Sequence, residues 1–141
     1  MFLLLQSSQN RLYIKRARVV NHDSIQTNVD IYIDEGKIKF IGSSADFAVP
    51  GGVKVIDCAG KYVIPGGIDP NTHFDGESCG IQSAETFYSG TKLAVAGGTT
   101  TCLNLIVPQK GESLIETYNT WRAKADEKAV ADYAFRIAIT R

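Results

Sequence analysis

Apolar and polar residues alternate over short stretches in about the first 60 residues, as they do in β-strands. The segment RLYIKRARVVN (11–21) alternates in part and ends in the turn-rich sequence NHDS. Within residues 28–42 the alternation stops at DEG and then resumes, which predicts a hairpin whose turn places Gly36 in the left-handed region. Two more short strands are predicted in 53–67, on either side of CAG. We therefore predict a small antiparallel β unit in this part of the chain.

Apolar residues take up helical spacing in two later segments. Residues 83–98 are predicted to form a helix with Ser83 as its N-cap and Gly97 at its end. Residues 113–127 are predicted to form a second helix, in which Ser113 and the glutamate three residues later make a capping box. The pattern of the chain thus changes from strands alone to strands and helices.

Two apolar, β-branched runs complete this alternation of strands and helices. Residues 99–107 are predicted to form a strand buried on both sides, and residues 131–140 a third buried strand. The order β-α-β-α-β favours parallel strands with right-handed crossovers. A complete (β/α)8 barrel takes about 250 residues. We therefore predict an α/β fold, with a β unit over 1–61 and the first part of an incomplete (β/α) barrel over 62–141.

Composition and charge narrow the classes of partner and compartment. The chain has 141 residues, 15 basic and 15 acidic side chains, and 44% hydrophobic residues, which is typical of a soluble globular protein. The balanced charge gives no electrostatic reason to expect a nucleic-acid or membrane partner. The apolar run near the N-terminus, FLLL, is shorter than the roughly 7–15 residues of a secretory signal. Three separated cysteines, Cys58, Cys79 and Cys102, form no CxxC pair, and we expect reduced thiols in a cytoplasmic protein.

The segment GGIDPNTH marks a candidate site at the carboxyl end of a predicted strand. Alternate residues of a strand share a face, so Asp69, Asn71 and His73 are expected to point the same way. Two histidines in a His-x-His arrangement could bind one metal ion there, with Asp69 orienting one of them. Only one imidazole is present, however, and the amide of Asn71 is a poor ligand for zinc. Nearby Asp75 or Glu77 does not complete the set, and a lone histidine at a strand end is more often structural or solvent-facing.

Four segments of the chain together resemble one known family. They are VIPGGIDPNTHF, FYSGTKLAVAGGTTT, LIVPQKGESLIETYNTWRAKADEK and DYAFRIAIT. The sequence resembles the dihydropyrimidinase family of cyclic amidohydrolases and its non-enzymatic relatives, the collapsin response mediator proteins. The resemblance runs from about residue 11 to the end of the chain. It implies a composite β-sandwich joined to a TIM-like barrel of the metal-dependent hydrolase type.

The resemblance also implies a ligand set. Active members hold two zinc ions through a His-x-His pair, a carboxylated lysine, two more histidines and an aspartate, and a metal-bound hydroxide attacks the ring amide. His73 falls on the second histidine of the pair, and Asn71 falls on the first, where the ligand is lost. Asn104 falls where relatives are expected to have an aspartate. The remaining ligands are expected beyond Arg141.

The function implied by these matches is that of a non-catalytic or truncated dihydropyrimidinase-like protein. By resemblance to the collapsin response mediators, we expect it to act through assembly of a homotetrameric parent and through cytoskeletal, neuronal partners. We expect no catalytic residue and no cofactor for this chain, with zinc only if the parent is active. The alternative is that the chain is a piece of an active zinc-dependent dihydropyrimidinase or hydantoinase that hydrolyses cyclic amide C–N bonds.

Overall fold

The computed structural model describes residues 10–78 and 81–139. The chain divides into two compact units between Pro65 and Gly66. The assignment of 1–61 and 62–141 to two domains of a longer protein stays a prediction. Within the described residues, no helix combines the length and apolar character that crossing a membrane requires.

The first unit is one mixed β-sheet of five strands, which are β1 Leu12–Val20, β2 Ile25–Asp34, β3 Lys37–Gly42, β4 Lys54–Asp57 and β5 Tyr62–Val63. The strand order is β3-β2-β1-β4, with β5 also paired to β1. The predicted hairpin is confirmed: β2 and β3 are antiparallel, and Glu35 and Gly36 between them have φ of 51° and 69°. Such left-handed pairs favour the two-residue turns that match strand twist.

The prediction of an antiparallel unit is wrong for β4 and β5, which both run parallel to β1. Because β3 also runs in the direction of β1, the segment 43–53 must carry the chain back along the strands before β4 begins. Parallel neighbours need a crossover connection of this kind. Alternation in the sequence identifies a strand but not its direction, so this crossover was missed.

A buried carboxylate accepts hydrogen bonds at an irregularity in the pairing of β1 with β2. The pairing of β1 with β2 shifts between Ile14 and Ala17, and Arg16 has φ of 58°. The Arg16 backbone N–H donates to Asp30 Oδ1 at 2.8 Å, and the Tyr13 hydroxyl donates to Asp30 Oδ2 at 2.7 Å. Asp30 is only 4% exposed. The pKa of Tyr13 is raised to about 12, mainly because its hydroxyl is buried and also because it is bonded to the Asp30 carboxylate.

The second unit consists of strands and two helices, which are β6 Gly67–Thr72, β7 Glu77–Ser78, β8 Ile81–Gln82, α1 Phe87–Ala96, β9 Thr99–Ile106, α2 Leu114–Lys128 and β10 Asp132–Ile137. Its parallel sheet has the order β10-β9-β6, which confirms the predicted β-α-β-α-β pattern. A small antiparallel pair, β7 and β8, precedes the first helix.

The helix ends are predicted in part. Ser113 caps α2 by accepting from the Glu116 N–H, which confirms one of the two bonds of the predicted capping box. Gly97 is the C-cap of α1, as predicted. The predicted N-cap Ser83 is wrong, since Thr86 caps α1 and forms a reciprocal capping box with Ser89. Both serine and threonine suit an N-cap, and the local sequence does not decide between them.

The strands of the second sheet are more open than predicted. On β9, Cys102, Asn104 and Ile106 are buried, whereas the residues between them are only half-buried. Register places Phe135 of β10 beside Asn104, and the Phe135 ring packs edge-on against Phe87 of α1 at 6.0 Å. The helices therefore cover the face that carries the buried residues. The prediction of burial on both sides is wrong for the described chain, because nothing in it covers the other face to the same extent.

We predict that Asp30→Ala lowers the free energy of unfolding of the first unit by about 2–4 kcal/mol, because two donors, Tyr13 and Arg16, lose their acceptor. Amide hydrogen exchange in β1 and β2 measures this free energy within the unit. Asp23→Ala, at an exposed turn, is the matched control and is expected to change it by less than about 0.5 kcal/mol. Equal protection in the two variants would contradict the role of Asp30. Tyr13→Phe, which removes one of the two bonds, is expected to cost about 1 kcal/mol.

Candidate functional site

The three residues predicted to form the site lie at the carboxyl end of β6. Asp69, Asn71 and His73 are all exposed, and the Asn71 N–H donates to Asp69 Oδ1 at 3.0 Å. The pairing of β6 with β9 shifts between Asp69 and Thr72, and the strand ends at Thr72. Strict alternation therefore does not extend from Asp69 to His73, and His73 begins the loop that follows the strand.

The loop after β6 is held by a buried amide. Asn104 of β9 is 0% exposed, and its Oδ1 accepts from the Thr72 hydroxyl at 3.1 Å and from the Phe74 N–H at 2.7 Å. Its Nδ2 donates to the Phe74 carbonyl at 3.3 Å. An aspartate could accept the first two bonds but has no proton for the third when ionised. Asn104 therefore holds the Thr72 side chain and the Phe74 backbone, on either side of His73, a role that sequence reasoning missed.

Asp75, considered as a further ligand, caps a helix instead. Its Oδ2 accepts from the Phe87 N–H at 2.7 Å, at the first turn of α1. A carboxylate is favoured there because the first amides of a helix lack partners and carry partial positive charge. The Asp75 N–H also donates to the Glu85 carbonyl at 2.9 Å. This second cap explains why α1 begins after Thr86 rather than after Ser83.

Phe74 packs into a space that only glycine leaves open. A Cβ added to Gly90 of α1 would lie 2.2 Å from Phe74 Cε1, far inside van der Waals contact. The Phe74 ring also meets Phe87 edge-on at 6.2 Å. Phe87 in turn contacts Trp121 of α2 at 6.0 Å. The loop that carries His73 is thus continuous with the aromatic core between the sheet and its helices.

Thr91 ties α1 to the start of β10. Its side chain is fully buried, and its hydroxyl donates to the Phe87 carbonyl at 2.5 Å. The Thr91 hydroxyl oxygen also accepts from the Val130 N–H at 3.1 Å, and Val130 lies two residues before β10 begins. This buried hydroxyl positions β10 relative to the helix that anchors the loop.

Arg136 of β10 donates from its guanidinium to Asn71 Oδ1. Register pairs Thr72 with Asn104 on the covered face, so Asn71 lies on the open face of the sheet. Arg136 alternates with the covered Phe135 and so lies on that open face too. The oxygen of Asn71 that would be offered to a metal ion therefore accepts a hydrogen bond from a cation. No sequence pattern had linked these two residues.

The two cysteines in the described part of the chain, Cys58 and Cys102, are both free thiols. Cys102 is 1% exposed, and burial, with a smaller contribution from the charge of Asp69, raises the pKa of its thiol. Cys58 is half-buried and free. Cys79 lies outside the described residues. The buried Cys102 thiol is therefore a poor source of a thiolate ligand.

The donor set on this chain does not fit a zinc site. Across residues 10–78 and 81–139, no three His, Cys, Asp or Glu side chains lie close enough to hold a metal ion. Asn71 accepts from Arg136, Asp75 caps α1, and His73 is the one imidazole at the end of β6. Zinc sites in proteins use three or four nitrogen, sulfur or carboxylate ligands.

Comparison with known proteins shows where this arrangement belongs. No protein-family profile matches the chain. The chain is 44% identical over 136 residues to dihydropyrimidinase of Rattus norvegicus, covering 94% of this chain and 26% of that relative. It is 44% identical over 138 residues to dihydropyrimidinase-related protein 5 of Mus musculus, covering 98% and 24%. The chain thus spans about a quarter of the length of the curated relatives it matches.

A solved structure agrees with the sequence matches. The chain matches a crystal structure of D-hydantoinase with a TM-score of 0.84 and 39% identity, covering 93% of this chain and 28% of that chain. The match lies in the N-terminal region of the D-hydantoinase fold. These similarities confirm the resemblance inferred from the motifs. A dihydropyrimidinase and a dihydropyrimidinase-related protein match at the same identity, and the chain is homologous to both.

We predict that Asn104→Leu lowers the free energy of unfolding of the second unit by about 2–4 kcal/mol, because the Thr72 hydroxyl and the Phe74 N–H lose their partner. Urea denaturation followed by Trp121 fluorescence reports on this unit, since Trp121 is the one tryptophan of the chain. Asn119→Leu, at an exposed position of α2, is the matched control and is expected to be nearly neutral. A similar loss of unfolding free energy in both variants would contradict the proposed role of the Asn104 hydrogen bonds.

Gly90→Ala is expected to destabilise the second unit, although the same substitution usually stabilises a helix. Alanine normally stabilises a helix by up to about 1 kcal/mol relative to glycine. Here we expect a loss of about 1–3 kcal/mol, because the added Cβ meets the Phe74 ring. In a Phe74→Ala background the same substitution is expected to be neutral or stabilising. Urea denaturation of the four proteins measures the coupling, and a Gly90→Ala variant more stable than the parent would contradict the contact.

Proposed function

We propose, from its homology with dihydropyrimidinases and their related proteins, that this chain is the N-terminal part of a dihydropyrimidinase-like protein that does not hydrolyse cyclic amides. The observation that carries the proposal is Asn71, which stands at the first position of the expected His-x-His pair and is bonded to Arg136. On this proposal the protein acts through assembly and protein partners, as the collapsin response mediators that it resembles do.

The chemistry of the lost ligand supports this proposal. A hydrolytic zinc centre must hold its ion firmly enough to lower the pKa of bound water to about 7. An amide oxygen carries no charge and binds zinc far more weakly than an imidazole does. Asn71 also offers its oxygen to the Arg136 guanidinium. This end of the sheet therefore offers His73 and the Asp69 carboxylate, fewer than the three or four ligands of a zinc site. Neither Asn71 nor Asp69 is proposed as catalytic.

The exposed apolar surface supports a larger parent. We propose that the parallel sheet is the opening part of a TIM-like barrel and that the first unit belongs to a composite β-sandwich. Ile68 of β6 is 67% exposed, and Leu93 and Ile115 on the helices are 63% and 74% exposed. Apolar side chains of this size gain stability when covered by further chain or by another copy. A cytoplasmic homotetramer with cytoskeletal partners is the form we propose from the resemblance.

A second candidate function is an active zinc-dependent dihydropyrimidinase or hydantoinase. The presence of Asp69 and His73, and the similarity to rat dihydropyrimidinase and to D-hydantoinase, favour it. In that case the rest of the parent would have to supply a ligand in place of Asn71, and Arg136 would have to move from its present partner.

Zinc content and hydrolysis distinguish the two candidates. We predict that the purified full-length parent, after incubation with zinc and removal of free ion, contains no stoichiometric zinc and does not hydrolyse dihydrouracil or hydantoin. Metal content is measured by mass spectrometry and turnover by loss of ring absorbance, with a D-hydantoinase assayed in parallel as the positive control. Stoichiometric zinc together with turnover that is lost in His73→Ala would contradict the non-catalytic proposal and support the second candidate.

A further inference from the structure

We propose that the guanidinium of Arg136 is a built-in cation at the carboxyl end of β6, and that its charge keeps divalent metal ions from this edge of the sheet. The inference deepens the proposed function and rests on it, since it concerns why the Asn71–His73 pair does not act as a metal centre. It assigns to Arg136 a role that the loss of one imidazole does not explain by itself.

The geometry places the charge where the metal pair is expected. β9 lies between β10 and β6, so the strands that carry Arg136 and Asn71 are about 10 Å apart. Arginine is long enough to cross β9, and its guanidinium meets the Asn71 amide oxygen on the open face. This oxygen lies one side chain's length from β6, where an imidazole at the same position would present its nitrogen.

The position of Arg136 is set by contacts on the covered face of β10. Phe135 packs edge-on against Phe87 and against Tyr118, at 6.0 and 5.8 Å. The Val130 N–H bonds to the buried Thr91 hydroxyl just before the strand begins. Because these contacts fix the strand, the backbone that carries Arg136 cannot withdraw the guanidinium without breaking packing elsewhere. The side chain is thus presented to the open face by the core.

The positive charge of Arg136 should have a measurable effect on the affinity of this site for a divalent cation. A guanidinium within about 5 Å of a divalent cation repels it enough to lower affinity by about tenfold even at the dielectric constant of water. Restoring the imidazole alone therefore leaves an unfavourable site. In contrast to lysine, glutamine at position 136 removes the charge while keeping an amide that can still bond to a neighbour. Substitution at this position separates charge from hydrogen bonding.

The test measures zinc binding to the 141-residue chain with the metal ion alone, by competition with a chromogenic chelator. Five proteins are compared. They are Asn71→His, the same change combined with Arg136→Gln, with Arg136→Lys or with Arg122→Gln, and the Arg136→Gln double variant with His73→Ala added. Arg122 is an exposed arginine of α2 and serves as the matched control for loss of one positive charge. Far-UV circular dichroism checks that each variant retains its secondary structure, and adding His73→Ala to the Arg136→Gln double variant checks that the zinc binds at the pair.

We expect Asn71→His with Arg136→Gln to bind zinc about tenfold more tightly than Asn71→His alone, and this gain to disappear with His73→Ala. The variants with Arg136→Lys or Arg122→Gln are expected to match Asn71→His. Equal affinities with and without Arg136→Gln would overturn the inference, as would an equal gain with Arg136→Lys. Those outcomes leave the proposed function standing, whereas zinc-dependent hydrolysis by the unaltered parent would overturn the proposed function itself.

Discussion

The buried amide of Asn104 is the constraint on which the second unit depends. It lies at the centre of the parallel sheet with no exposed surface, where a polar side chain must have partners. It finds them in the Thr72 hydroxyl and in both backbone polar groups of Phe74. The end of β6 and the loop after it are thereby attached to β9 by a group that both accepts and donates. A purely apolar side chain at this position would leave the part-buried backbone groups of Phe74 without these bonds.

From that attachment the other contacts follow in order along the chain. Once Phe74 is fixed, its ring reaches the notch left by Gly90 on α1. The next residue, Asp75, then lies where its carboxylate can accept from the first amide of the same helix. Thr91, one turn from the start of α1, passes the constraint on to the segment before β10. The loop, the helix and the third strand are therefore positioned by one connected set of buried polar and aromatic contacts.

Features that depend on contacts between residues close in sequence were predicted, and features that depend on distant contacts were missed. The hairpin turn at Gly36 and the Ser113 cap were predicted because their chemistry is contained within four residues. The direction of β4 was missed because it depends on a crossover, and the start of α1 because Asp75 acts from twelve residues away. The site shows the same division. The placement of Asp69, Asn71 and His73 at a strand end follows from local pattern, whereas the partner of Asn71 lies two strands away.

The two faces of β6 make different contacts, and this difference bears on which substitutions the fold tolerates. Thr72 points to the covered face and bonds to Asn104, so it belongs to the interactions that fold the unit. Asn71 points to the open face, where its partner is the exposed side chain of Arg136. Exposed polar contacts contribute little to stability, because water competes for both groups. A change of side chain at position 71 therefore alters the open face while leaving untouched the buried contacts that determine the fold.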